Sequence, residues 1–128
     1  MTDGFTYDSG ALIAAERDQP KMWLLHKRAL ARGVTPVVPA GVLTEVYRSG
    51  RQANLARLLS GCQVEPLDED RARRAGTLLG RCSISPGAVD ASVAEGAMRR
   101  GDAVVTGNAD HIRALADGAG RKLAIIPV

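Results

Sequence analysis

The sequence predicts an α/β fold: a central parallel sheet of about four to five strands flanked by helices. Three observations predict it. Short β-like runs alternate with longer helical runs along all 128 residues. Runs such as Ala103 to Thr106 hold only apolar or small residues, which suits burial on both faces of a sheet. The hydrophobic fraction is 45%, enough for a core in one domain of this size.

The elements follow in order. Phe5 to Tyr7 reads as a short strand, and Asp8 or Ser9 can cap a helix over Gly10 to Glu16. Pro20 opens a second helix, with an apolar face from Trp23, Leu24, Leu25, Ala29 and Leu30, and Gly33 ends it. Thr35 to Val38 is a buried strand. Pro39 sits at the start of the next helix, where a missing N–H costs nothing, and that helix stops near Gly50. Ala53 to Leu59 is helical. Gln63 to Leu67 alternates apolar and polar residues, the pattern of a half-buried strand. Asp68 caps a helix through Leu79, and Ser85-Pro86-Gly87 is a turn. Ala88 to Met98 is a helix of small residues, ended by Gly101. The Ala103–Thr106 strand, a polar loop with Asn108 and Asp110, a short helix over Ile112 to Ala116 and a strand from Leu123 to Ile126 complete the chain.

Composition narrows the function classes. Aromatic residues make up 3% of the chain, too few for a platform on which bases stack. The formal net charge of +3 is compatible with a polyanionic partner and no more than that. Cys62 and Cys82 lack metal-ligand spacing and read as reduced, partly buried thiols. The N-terminus, Met1-Thr2-Asp3-Gly4-Phe5, has no basic region followed by a long apolar run. A cytoplasmic protein with no signal peptide and no membrane span is expected. A Gly-rich phosphate loop is missing, which argues against a nucleoside triphosphatase. A phosphoryl-acceptor domain would need adjacent acids after an early strand and a Lys after a late one, and neither is present.

Four carboxylates stand out: Asp8, Glu45, Asp90 and Asp110. Asp8 follows the first strand, and Asn108 and Asp110 follow the Ala103–Thr106 strand. In parallel sheets the ligand site lies beyond the carboxyl ends of the strands. Glu45 and Asp90 fall near helix N-termini and are placed to face the same crevice. Each has a structural alternative: a cap, a first-turn carboxylate, or a solvated helix residue. Three of them interrupt apolar or small-residue stretches, and if the fold brings all four together no Lys or Arg in these short segments is placed to neutralise them. A divalent metal is the natural counter-charge, and carboxylate-held metal suits phosphodiester chemistry.

The ordered segments resemble the PIN-domain family, and within it the VapC-like ribonuclease toxins of type II toxin–antitoxin systems. Tyr7-Asp8-Ser9-Gly10-Ala11-Leu12-Ile13-Ala14 is similar to the family's first acidic motif. Val42-Leu43-Thr44-Glu45-Val46-Tyr47-Arg48 resembles the second and Val89-Asp90-Ala91-Ser92-Val93-Ala94 the third. The closing segment runs from Asp102 to Ile112, with a strand ending in Thr106. Pro66-Leu67-Asp68 before an Ala- and Arg-rich helix is also similar. The resemblance covers nearly the whole chain, implying a single PIN-like domain over residues 1–128. One position departs: Asn108 stands where the family often has Asp. Asn keeps an oxygen ligand and loses the charge, and Asp110 is the other source of a carboxylate.

The resemblance implies a Mg²⁺- or Mn²⁺-dependent endoribonuclease. Asp8, Glu45, Asp90 and Asp110 would be its catalytic acids, and Asp8, Asp90, Asn108 and Asp110 its metal ligands. Ser9 and Thr106 would hydrogen-bond those ligands from behind. Arg48 and Arg51 would guide RNA, with Arg17, Lys21, Arg99 and Arg100 extending the track or simply solvating the surface. His26 and His111 read as surface or packing residues. The resemblance also implies a homodimer and a cognate antitoxin wrapped around the first helices. Trp23-Leu24-Leu25 would serve as groove wall, dimer contact or core. The alternative is a catalytically weakened PIN-like domain that binds RNA or a protein partner without cutting.

Overall fold

Five parallel strands form one sheet in the order β3-β2-β1-β4-β5. The computed structural model describes residues 4–128, so the reading of Met1 to Asp3 lies outside the described residues. The strands are β1 (Phe5–Tyr7), β2 (Val37–Pro39), β3 (Gln63–Glu65), β4 (Ala103–Thr106) and β5 (Ile125–Pro127). The helices are α1 (Ser9–Glu16), α2 (Pro20–Ala31), α3 (Ala40–Val46), α4 (Ala53–Ser60), α5 (Glu69–Arg81), α6 (Ala88–Arg100) and α7 (Ala109–Gly118). This is the expected PIN-like α/β architecture.

Strand alternation assigns the faces. Thr6 and Tyr7 are adjacent in β1 and must point to opposite sides. Tyr7 meets His26 of α2 through a 2.9 Å hydrogen bond. Thr6 donates to Asp102 at 2.9 Å and accepts from Arg100 Nη2 at 2.9 Å on the α6 side. Helices α1, α2 and α4 pack over one face, where Leu12, Met22, Leu55 and Leu58 are buried with Tyr7 and its register partner Val105. Helices α5, α6 and α7 form the other layer around Leu78, Ala94, Met98 and Leu115. Each fully buried Leu contributes about 1.5–3 kcal/mol relative to exposure.

The sheet order has a functional consequence. From β1 the chain winds outward to β2 and β3, then returns to lay β4 and β5 on the other side. The switch point therefore falls between β1 and β4, which pair Phe5 with Ala103 and Tyr7 with Val105. The next residues, Asp8 and Thr106, emerge side by side at the carboxyl edge.

Several boundaries differ from the sequence reading. β2 starts at Val37, not Thr35, because Pro36 has no N–H for a ladder. Pro39 ends β2 and caps α3 instead of opening the helix. β3 is an edge strand with Gln63 and Val64 exposed, so it is less buried than its alternation suggests. α7 begins at Ala109, upstream of the expected Ile112. Arg99 and Arg100 are not free to extend an RNA track. Arg99 pairs with Glu95 at 3.0 Å and also with Glu65, while Arg100 meets Glu65 at 2.7 Å and Asp102 at 3.0 Å. Burial works against the Glu65 carboxylate, but bonds and charge from Arg99 and Arg100 hold it below its ordinary range. This network ties the β3 edge to α6. Cys62 and Cys82 are free, partly buried thiols, as expected. Among the described residues, no helix is long and apolar enough to cross a membrane.

Candidate functional site

Asp8 leaves β1 in extended conformation (φ −84°, ψ 174°) and caps α1. Its Oδ1 accepts from the Ser9 backbone N–H at 2.7 Å. Its Oδ2 accepts from Thr106 Oγ1 at 2.7 Å. Thr106 Oγ1 in turn accepts from the Asn108 N–H at 2.9 Å, which fixes the hydroxyl proton on Asp8. Two glycines make this junction possible. A Cβ on Gly10 would fall 2.8 Å from the Gly107 Cα, so the β1–α1 and β4–α7 connections touch backbone to backbone. Neither glycine was singled out in the sequence, although a glycine two residues after an acid at a helix start is a visible signal.

Asp90 sits in the first turn of α6. Its Oδ2 accepts from the Gly87 N–H at 3.3 Å and lies 3.1 Å from His111 Nδ1. His111 Nδ1 is also 2.7 Å from the Asn108 side-chain amide. One ring nitrogen cannot donate to Asp90 and accept from an amide N–H together. A proton on Nδ1, with the Asn108 amide turned to present its oxygen, satisfies both contacts. His111 is therefore part of the site, contrary to its reading as a surface or packing residue. Its link to Asp90 depends on how α7 packs against α6, which no local pattern encodes.

The electrostatics single out Asp8. It is 1% exposed. Burial pushes its carboxyl pKa up, the Thr106 and Ser9 hydrogen bonds pull it down, and the nearby Asp90 carboxylate raises it again. Among the described residues, no Lys or Arg forms an ion pair with Asp8 or Asp90. A buried carboxylate beside a second one, without a permanent cation, is costly as it stands. The donor set is two carboxylates backed by hydroxyl and amide oxygens. That fits Mg²⁺ or Mn²⁺: Mg²⁺ is held by one or two carboxylates and keeps several waters for substrate phosphate to replace. The His111 imidazole also stands in this set, but its Nδ1 is engaged by Asp90 and Asn108, so oxygen donors predominate.

The other expected members stand apart. Glu45 is exposed on α3 and lines a separate shallow pocket of about 180 Å³ with Ile13, Arg17 and Gln52. Asp110 lies in the first turn of α7 with its side chain 94% exposed, and it pairs with Arg113 at 3.3 Å. Among the described residues, no group of three or more His, Cys, Asp or Glu is arranged to hold a metal ion. The acids that the structure couples to each other are Asp8 and Asp90, with Asn108 and His111 alongside. Arg48 does not reach outward for a ligand. Its guanidinium donates to the carbonyls of Thr44, Glu45 and Tyr47 and caps α3. Arg51 is exposed beyond it.

Trp23 donates to the Ala15 carbonyl at 3.0 Å, and Arg57 lies over its ring at 4.2 Å. Leu24 is 48% exposed and Leu25 packs on the core, so the Trp23–Leu25 stretch divides between core and surface.

No family model and no curated protein matches the chain. Solved structures do. The chain is similar to VapBC2 from Rickettsia felis bound to a DNA fragment from its promoter, with a TM-score of 0.72 and 18% identity over 97% of this chain and 98% of that one. It is also similar to FitAB bound to an IR36 DNA fragment, with a TM-score of 0.59 and 18% identity over 96% and 94%. Both are DNA-bound complexes, and neither is described as a PIN-domain protein or a ribonuclease. At this identity the likeness is one of fold. The motif-based assignment to the PIN-domain family as a VapC-like ribonuclease toxin is corrected accordingly: what the chain shares with known proteins is an α/β architecture over nearly its full length.

Proposed function

We propose that this chain is a metal-dependent endoribonuclease, acting as the toxin of a toxin–antitoxin module. The observation that carries this reading is the buried Asp8 carboxylate, set beside Asp90 at the sheet's switch point with no Lys or Arg ion-pair partner among the described residues. The fold shared with VapBC2 and FitAB supports the module assignment. RNA as the phosphodiester substrate is part of the proposal and is tested against DNA below. A cognate antitoxin and a homodimeric state belong to the same proposal.

Asp8 and Asp90 would hold Mg²⁺ or Mn²⁺, with the Asn108 amide, which meets His111 beside Asp90, as a further oxygen source. When bound, such an ion makes water a better nucleophile and offsets charge growing on phosphate oxygens. The chain's own residues do the rest. The Ser9 N–H and the Thr106 hydroxyl fix both oxygens of Asp8. Gly87 and His111 hold one oxygen of Asp90 and leave the other free to bind. Burial of Asp8 lowers the local dielectric, which strengthens every charge interaction with substrate. Phosphodiester hydrolysis by in-line attack of water would leave a 3′-hydroxyl and a 5′-phosphate.

Calorimetric titration with Mn²⁺ and cleavage of a single-stranded RNA test the reading together. Mn²⁺ binding and cleavage should both be lost in Asp8→Asn and in Asp90→Asn. Metal binding unchanged in both variants would remove the proposal. A second reading has its own support: Glu45 and Asp110 stand away from the pair, as in a weakened site that binds RNA or a protein without cutting. Mn²⁺ and RNA binding without cleavage would select it, and cleavage of DNA in preference to RNA would overturn the choice of substrate.

A further inference from the structure

We propose that an arginine-lined pocket where α5, α6 and α7 meet binds a small phosphate-bearing anion. The pocket encloses about 350 Å³, a size suited to a small ligand. Arg74 and Arg81 of α5, Arg99 of α6 and Arg121 after α7 line it, over a floor that includes Leu78 and Met98. Glu95 is the one carboxylate in the lining.

Charge accounting leaves a local excess. Glu95 is taken by Arg99 at 3.0 Å, and Arg99 also pairs with Glu65. Among the described residues Arg74 has a single ion pair, with Asp70 at 3.1 Å, and both side chains are more than half exposed (56% and 72%), where water weakens the attraction. Arg121 spends one donor on the Met98 carbonyl at 3.3 Å, out of five N–H groups. Arg81 has no carboxylate partner among the described residues. Three guanidiniums with donors to spare therefore converge on one concavity. Their planar forks match phosphate oxygens in pairs. Leu78 and Met98 are 8% and 9% exposed and offer an apolar rest for an organic body.

The fold builds this convergence. A Cβ on Gly118 would lie 2.6 Å from the Arg81 carbonyl oxygen, so the bare glycine lets the end of α7 close on the end of α5. That approach sets Arg81 and Arg121 around one pocket. Asp90 lies nine residues before Arg99 on the same helix, about 13 Å away along its axis. The pocket is thus separate from the Asp8–Asp90 pair and does not rest on the nuclease reading.

Isothermal titration of the full chain in metal-free buffer at 150 mM salt tests it, with inorganic pyrophosphate and ADP as probes. One-to-one saturable binding is expected. The double variant Arg81→Gln/Arg121→Gln should weaken it about ten- to hundred-fold with an unchanged melting temperature. The same charge change elsewhere, Arg28→Gln/Arg32→Gln, should leave it intact, as should Asp8→Asn. Tighter binding of ADP assigns the site to organic phosphates, and equal binding assigns it to the inorganic anion. No binding at millimolar probe, or equal weakening by the two double variants, would overturn the proposal.

Discussion

Replacing Asp8 by Asn should stabilise the metal-free protein while abolishing its response to metal. A carboxyl whose folded pKa is raised holds its proton more tightly in the folded state. Its contribution favours folding at low pH and is lost as pH rises from about 3.9 through the raised value. Each unit of that shift removes about 1.4 kcal/mol by neutral pH. Asn is nearly isosteric and carries no charge, so the loss disappears along with repulsion from Asp90. Against this, one of two hydrogen bonds must rearrange. Asn can still accept from the Ser9 N–H, but its NH₂ faces Thr106, at a cost of about 1 kcal/mol. The balance expected is a net gain at pH 7, each kcal/mol of which raises Tm by about 3–6 °C for a chain of this length. Wild type should gain about 2.7 kcal/mol from Mn²⁺ at a hundred times its Kd, and the variant nothing. Thermal melts in chelator and in Mn²⁺ measure both effects. If the variant is less stable than wild type in chelator by 1 kcal/mol or more, Asp8 is a structural cap and the reasoning from unpaired charge fails.

Three further outcomes are expected. Gly10→Ala should cost about 1–3 kcal/mol, because its Cβ would press on Gly107, and should shift the Thr106 and Asn108 amide resonances; an unperturbed spectrum would contradict the backbone contact. His26 is buried, which lowers its pKa, so the unfolded chain takes up a proton first as pH falls below about 6.5. The urea midpoint should therefore drop between pH 7.5 and 5.5, and His26→Asn should flatten the decline; an equal slope in the variant would assign it to other groups. Asp110→Asn should leave Mn²⁺ affinity unchanged, since its side chain points to solvent beside Arg113, and a tenfold loss by calorimetry would restore it as a ligand.

The parts of the fold that local pattern controls were legible in advance. β1 and β4 are short, apolar and bounded by polar residues, and both were placed at their observed positions. Asp8 was placed at a strand exit for the same reason. What pattern alone cannot carry is relative packing. Glu45 looked half-buried because Val42 and Val46 flank it, yet on α3 those two valines face the core while Glu45 turns to solvent. Asp110 was read as a loop residue, but the helix begins one residue before it and turns its side chain outward. The exposure of Val64 reflects a sheet order in which β3 lies at an edge, and alternation does not encode order. His111 was read as a surface or packing residue because its partner, Asp90, is 21 positions away and on another helix.

The hydrogen bond between Thr106 and Asp8 spans 98 positions of chain. During synthesis Asp8 emerges long before the strand that delivers its partner. At ribosomal speeds of about 5–20 residues per second, the nascent polypeptide spends several seconds or more with no assembled pocket. A prematurely terminated product lacking β4 would keep Asp8, Glu45 and Asp90 and still have nothing to hold the first of them in place. Synthesis of β4 thus acts as a checkpoint that the order of the strands imposes on any activity the pocket supports.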